Sequence, residues 1–314
     1  MGRNNFGLRS RDMGKAGEFA LNQAARSGAI SYSTAGTLAE RWNQFVEHAK
    51  SDGTRWMEDI RADQVRAWGR DLADQVRNGE MSPSYAQNLV SAVNTVMNLA
   101  TKGRWDSVSP TKACGIAQRS AIRVDAPSGM DRSAFGAAME SLRESGLHRQ
   151  ASIAELARDL GLRSKEASML DARAALAEAR ERGAITVTEG TKGGREREIP
   201  ITGEHQIQTL ERAAQIQGDG WNLIPSDQTW KEWREGGLRD GREAVQEAIG
   251  GHGYHDLRAA YACERYEALT GHDAPVLGGR IEDRDLDREA RMEISEELGH
   301  GRIDVVAEYL GGRG

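Results

Sequence analysis

Ala184-Ile185-Thr186-Val187-Thr188, then Glu189-Gly190-Thr191-Lys192-Gly193-Gly194, then Glu196-Arg197-Glu198-Ile199-Pro200-Ile201 lie almost end to end in this chain of 314 residues. The first piece is β-branched and alternating, glycines crowd the second, and the third alternates again, so the spacing predicts a strand, a turn and a strand. Around this hairpin the pattern is helical. Apolar residues recur at helical spacing over 12–26, 34–50 and 62–78, and Ser82-Pro83 is a cap and first-turn pair for a helix over 85–101. Beyond a stretch without periodicity, helices are predicted over 133–145 and 152–160, after Gly161-Leu162-Arg163, over 204–217, around Trp230 and Trp233, and over 255–269. The fold class expected is mainly α with a small β-hairpin.

Two domains suit the length. The punctuation by Gly103, Pro110, Gly115 and Pro127 marks a connector. Expected boundaries are a basic amino-terminal segment at 1–30, a helical domain at 31–105, a basic linker at 106–128 and a second, mixed α+β domain at 129–314. Residues 271–292 read as a solvated acidic insertion. Trp42, Trp56, Trp68 and Trp105 are expected as core anchors.

Composition narrows the class. With 38% hydrophobic and 29% charged residues, the chain has the balance of a water-soluble globular protein, and no run approaches the length of a membrane span. The start, Met-Gly-Arg-Asn-Asn, lacks the apolar centre of a signal peptide, so a cytoplasmic location is expected. Cys114 and Cys263 are too few for a disulfide framework or a cysteine zinc site and are expected as reduced packing residues. The net charge of −6 argues against an acidic partner until its distribution is read. Residues 281–299 hold eight acids against three arginines, whereas 101–123 carry a balance of +4 and 1–30 a balance of +3. Positive charge is therefore gathered at the amino terminus, where Arg3, Arg9, Arg11 and Lys15 suggest an arm, and at the connector.

The chemistry concentrates in four segments. They are Gly161-Leu162-Arg163-Ser164-Lys165-Glu166, the turn with Lys192, His255-Asp256-Leu257-Arg258, and Leu298-Gly299-His300 followed nine residues later by Tyr309. Planar guanidinium groups hold the non-bridging oxygens of a phosphodiester bidentately, imidazole relays protons near neutral pH, and a phenol attacks only where cations stabilise its developing charge. Singly, each piece is weak: a His-x-x-Arg is usually a helix start, and a loop lysine is usually only that. Together, and in this order, they resemble the catalytic pattern of the tyrosine recombinases, the phage-type and mobile-element integrase family.

That resemblance covers most of residues 130–310. It implies a helical core-binding bundle plus a catalytic domain, closing as a clamp around duplex DNA. It implies a site-specific recombinase that cleaves and rejoins strands through a 3′-phosphotyrosine. Arg163, Lys192, His255, Arg258 and His300 are the expected catalytic companions of the nucleophile Tyr309, with Glu166 as the acidic partner of Arg163. It further implies DNA attachment sites as partners, a homotetramer with a dimer per site, accessory DNA-bending proteins, and no metal, ATP or other cofactor. Lys102, Arg104, Lys112, Arg119, Arg123, Arg195 and Arg197 are the expected DNA-contacting cations. Two departures stand out: the interval between Arg258 and His300 is long, and only five residues follow Tyr309, so exchange of a terminal helix between protomers is not expected.

Other classes are weighed against this. Residues 152–170 have the pattern of a helix-turn-helix, glycine at the turn and Ser164 at a cap, which would make a non-catalytic DNA-binding regulator. It leaves the hairpin and both histidine segments unexplained. A recombinase-fold accessory protein is the other alternative. His252, His255 and His272 are broken up by glycines and make a poor metal face. The glycine-rich turn lacks the glycine-lysine-serine order of a phosphate loop.

Overall fold

The computed structural model describes residues 4–313; Arg3 lies outside them. Two compact units divide the chain, Met1–Ser120 and Ala121–Gly314, each with its own apolar core. Among the described residues no helix is long and apolar enough to cross a membrane.

The first unit is built on α1 (Met13–Arg26), α2 (Tyr32–Ser51), α3 (Ala62–Arg77) and α4 (Pro83–Ala100). Three of the four starts are encoded locally. Asp12, Ser31 and Ser82 accept the N–H groups of Lys15, Thr34 and Tyr85, and Pro83 occupies the first helical position, where no N–H is needed. Trp42, Phe45 and Trp68 are buried at the centre, and Trp42 Nε1 donates to the Met13 carbonyl at 3.0 Å. Residues 13–26 thus belong to the bundle, because Met13, Ala16 and Leu21 give α1 a buried face. Trp56 and Trp105 are half-buried at its edge. The connector is divided between the units. Val108, Cys114 and Ile116 are core residues of the first, and the break falls after Ser120.

The second unit runs α5 (Arg132–Glu144), α6 (His148–Leu160), α7 (Ser164–Met169), α8 (Ala172–Arg182), β1 (Ala184–Val187), β2 (Arg197–Pro200), α9 (Glu204–Gln217), α10 (Trp230–Glu235), α11 (Gly237–Ile249), α12 (Tyr254–Thr270), α13 (Arg284–Glu297) and α14 (Ala307–Leu310). The strands pair antiparallel, from Ala184 opposite Pro200 to Val187 opposite Arg197, as the hairpin pattern predicted. The middle of the unit is α6, whose residues 150–160 are all buried, with α5, α9, α11 and α12 packed on it. This corrects the helix-turn-helix alternative. A helix enclosed on every side cannot enter a groove, and α7 is a six-residue helix with Glu166, Ala167 and Ser168 buried.

The acidic insertion is also corrected. From Arg284 onward it is helix, and Asp287, Ala290, Arg291 and Ile294 face inward at helical spacing. Asp287 is buried and accepts from Arg291 Nε at 2.7 Å, Tyr266 Oη at 2.9 Å and Arg313 Nε at 2.8 Å. Arg291 in turn donates to the Gly311 carbonyl at 3.1 Å, holding the chain just beyond Tyr309. Acids paired inside a protein and acids in water look alike in a sequence, which is why composition misled here. The two cysteines are buried and unbridged, as expected.

Gly161 closes α6 in the left-handed region, φ +60°, and a Cβ there would stand 2.6 Å from Tyr261 Cδ1 and 2.9 Å from Leu298 Cδ2. Both the backbone angle and the crowding exclude a side chain. Gly161→Ala is expected to lower the stability of the second unit by about 2–4 kcal/mol, read as a drop in the urea midpoint; a midpoint unchanged would show that the turn has slack.

Candidate active site

Five places along the chain deliver the side chains grouped by the sequence. Arg163 follows the Gly161 turn and is the N-cap of α7. Lys192 stands on the exposed loop between β1 and β2. His255 and Arg258, three residues apart, project from one face of the first turn of α12. His300 follows the end of α13, and Tyr309 lies in the short α14. All six line one pocket of about 330 Å³, together with Ser164, Tyr254 and Glu308.

Arg258 is the centre of that pocket. It is 1% exposed, and its two terminal nitrogens donate to the carbonyls of Gly161 and Leu298, the ends of α6 and α13. Its Nε donates to Tyr309 Oη at 3.3 Å, and Nη2 lies 3.4 Å from His300 Nε2. Tyr309 is 3% exposed, yet its hydroxyl faces the pocket, 3.0 Å from His300 Nε2. Both imidazole rings tilt against the phenol ring, with centroids 5.6 Å away for His255 and 5.5 Å for His300. Because a guanidinium only donates, the Nε2 facing it accepts, and the ring proton of His300 sits on Nδ1. The same lone pair faces the phenol hydrogen.

Electrostatics keep the histidines neutral. Burial and the positive charges of Arg258, Arg163, Lys192 and Arg197 push His300 from its ordinary 6.5 down to about 4. His255 is lowered too, by loss of solvation and then by Arg258 and Arg123. Burial, with Arg163 beside it, lowers Arg258 to about 10, which leaves it charged at neutral pH.

Beneath the pocket lies Glu166, fully buried. It accepts from Arg163 Nη1 at 2.7 Å, from the Arg163 backbone N–H at 2.8 Å, and from both terminal nitrogens of Arg197 at 3.0 and 2.7 Å. Burial alone would raise its carboxyl; the hydrogen bonds and charge of Arg197, with Arg163, more than offset that and hold it at about 2. Arg197, expected among the DNA-contacting cations, is corrected here. It is buried, and its Nε donates to the Glu297 carbonyl at 2.7 Å, so it braces the arginine segment and has no face left for a partner. Arg123 is corrected likewise. It pairs with buried Asp256 at 2.6 Å, and its backbone N–H donates to the Ala307 carbonyl at 2.9 Å, tying the start of α12 to α14.

Asp256, an unremarked position of the His-x-x-Arg segment, also accepts from Ser128 Oγ at 2.8 Å and the His252 N–H at 3.1 Å. No sequence signal distinguished it from a surface acid at a helix start. Of the remaining expected DNA contacts, Lys102, Arg104, Lys112 and Arg119 are exposed on the first unit. Arg195 is exposed beside the pocket and donates to the His300 carbonyl at 3.3 Å. His272 points to Glu282 at 3.7 Å, away from the other histidines, and no group of three potential metal ligands occurs among the described residues.

The family model described as Integrase matches residues 119–264. No curated relative matches the chain. Among solved structures, the Tn1549 transposon integrase in complex with transposon right end DNA superposes with a TM-score of 0.59 at 11% identity, over 94% of each chain. XerH site-specific recombinase, bound to palindromic difH substrate in a post-cleavage complex, gives 0.59 at 15% identity over 94% of this chain and 80% of that one. A lambda integrase dimer bound to a COC′ core site gives 0.57 at 18% identity over 94% and 77%. At such identities the likeness establishes the fold, which is that of the tyrosine recombinases. The family match spans Arg163, Lys192, His255 and Arg258, so over residues 119–264 the chain is similar to the integrase family.

Glu166 makes stability depend on acid. A carboxyl held low contributes stability that is complete above its unfolded value, 4.5, and is lost as pH falls towards 2. Glu166→Gln, which leaves Arg163 and Arg197 uncompensated, is expected to cost about 3–5 kcal/mol near neutral pH. In urea titrations the gap between the two proteins should narrow steadily from pH 4.5 to 2. A gap independent of pH would mean that the carboxylate charge is not what holds the cluster.

Proposed function

We propose that the pocket receives one phosphodiester of duplex DNA and that Tyr309 attacks its phosphorus. Arg163 and Arg258 hold the non-bridging oxygens, supplying the positive charge that stabilises the crowded phosphorus. Tyr309 Oη forms the new bond to phosphorus, and its proton passes to the neutral Nε2 of His300. The bond to the 5′ oxygen breaks, and Lys192, reaching in from its glycine-flanked loop, gives that oxygen a proton. His255, beside the phenol ring, donates to the same phosphate. The product is a 3′-phosphotyrosine and a free 5′ hydroxyl. One phosphoester replaces another, so the step runs without ATP, and reversal with a different 5′ hydroxyl joins exchanged strands.

The observation that carries this reading is the position of Tyr309 Oη, 3.0 Å from the imidazole and 3.3 Å from the guanidinium, in a pocket that Arg163 and Lys192 also line. DNA as partner is supported by relatives of the same fold that hold DNA at transposon ends, palindromic sites and core sites. The exposed cations Lys102, Arg104, Lys112, Arg119 and Arg195 are proposed to meet its backbone. The assembly proposed is a dimer on each attachment site and a homotetramer across two, with accessory DNA-bending proteins as further partners.

Trapping tests the nucleophile. Incubated with a pool of random-sequence duplexes nicked so that the cleaved fragment diffuses away, the protein is expected to accumulate a covalent adduct on a 3′ phosphate. Tyr309→Phe should abolish it, and an adduct that persists in that variant would remove the assignment. Lys192→Ala should cleave ordinary DNA at least about 100-fold more slowly. It should recover on a duplex with a 5′-bridging sulfur, which leaves without a proton, and absence of recovery would assign the acid elsewhere.

A further inference from the structure

Gly190 stands at the start of the loop that carries Lys192, with its backbone in the left-handed region at φ +74°. A Cβ added there would meet the first turn of α7, 3.0 Å from the Lys165 carbonyl oxygen and 3.1 Å from the Glu166 nitrogen. Both neighbours are backbone atoms, so no side chain can swing aside to make room. Gly193 and Gly194, farther along the loop, also have positive φ, yet a Cβ at either would meet nothing within 4 Å. Among the three glycines of the loop, close approach to the body of the unit is confined to Gly190.

The turn it leans on is held too firmly to yield. Glu166 is fully buried and accepts from the Arg163 side chain and backbone and from both terminal nitrogens of Arg197. Arg197 is the first residue of β2, where the same loop ends. The loop is therefore seated at both ends on one short stretch of α7, Gly190 against the Lys165–Glu166 backbone and Arg197 against the Glu166 carboxylate. Between these anchors lies the span 191–196, which is exposed from Lys192 onward and is folded back where Thr191 Oγ1 donates to the Thr188 carbonyl at 3.2 Å. The carboxylate that anchors the loop also fixes Arg163, which lines the same pocket as Lys192.

We infer that Gly190 is a positioning residue for the proton donor: its seat on α7 sets the reach of Lys192 relative to Arg163 and so places the ammonium at the departing 5′ oxygen. The inference rests on the proposed reading of Lys192 as the acid. A loop fixed at two points confines its middle to a smaller volume than a loop fixed at one, and a proton donor must sit within hydrogen-bond reach of the atom it serves. A side chain that lifts Gly190 off α7 moves Lys192 but leaves Arg163 in place, because Glu166 still holds it. The resulting defect belongs to proton transfer alone.

Single-turnover cleavage tests this on the duplex recovered from the trapping selection, made once with the ordinary 5′ oxygen and once with a 5′-bridging sulfur. Gly190→Ala is expected to cleave the oxygen duplex about tenfold or more slowly and the sulfur duplex within about twofold of the parent rate. Gly190→Asn separates contact from backbone angle, since asparagine accepts the left-handed region more readily than alanine but carries the same Cβ. It should show the same selective loss. An asparagine variant as fast as the parent on both duplexes, or an alanine variant equally slow on both or slow on neither, would overturn the seat. Lys192→Ala serves as the reference. If it is slow on both duplexes, or if the wild-type protein yields no cleaved duplex, the underlying reading fails and the inference with it; if it recovers on sulfur while Gly190→Ala does not, the inference alone is lost.

Discussion

The second unit is organised around one buried guanidinium. Arg258 draws its support from parts of the chain far apart in sequence: the carbonyl that ends α6, the carbonyl that ends α13, and the phenol of α14. A charge with so little exposure is stable only when its donors are met, and two of the acceptors are carbonyls from different helix termini. The same bonds that solvate Arg258 therefore close the unit and place Tyr309. Structural and chemical requirements coincide here, because the guanidinium that pins the helix ends also faces the pocket.

A second layer of charge supports the first. Glu166 is shared by Arg163 and Arg197, so the start of α7 and strand β2 are fixed to one carboxylate. Arg197 continues to the Glu297 carbonyl, linking the hairpin to the helix that precedes His300. Asp256 and Arg123 do the corresponding work at the start of α12 and at α14. Burial, with the cations that crowd the pocket, holds His300 near 4, which leaves its imidazole as an acceptor at neutral pH. Positive potential suited to an anion and a neutral imidazole with a free lone pair thus arise from one arrangement.

Much of this was legible in the amino-acid order. The hairpin announced itself through β-branched alternation around a glycine-rich turn, and helix starts through Asp12, Ser31 and the Ser82-Pro83 pair. The six pocket residues were legible because their types and order together resemble the catalytic pattern of the tyrosine recombinases. What escaped were residues whose meaning depends on burial. Arg197 and Arg123 had the composition of DNA-contacting cations, yet a buried carboxylate claims each of them. Asp287 and Arg291 looked like surface charges in an acidic stretch and are instead an interior pair.

The sequence by itself determined many of the local choices and the inventory: most of the helices, where the hairpin turns, and which side chains are available for chemistry. Those follow from propensity, capping and period, all of which act over a few residues. The tertiary structure alone decided which arginines serve the pocket and which brace it, and whether the acidic stretch is wet or interior. It also lowered the pKa values of His255 and His300. Desolvation and charge pairing act through space between segments more than a hundred residues apart, and short-range pattern carries no information about them.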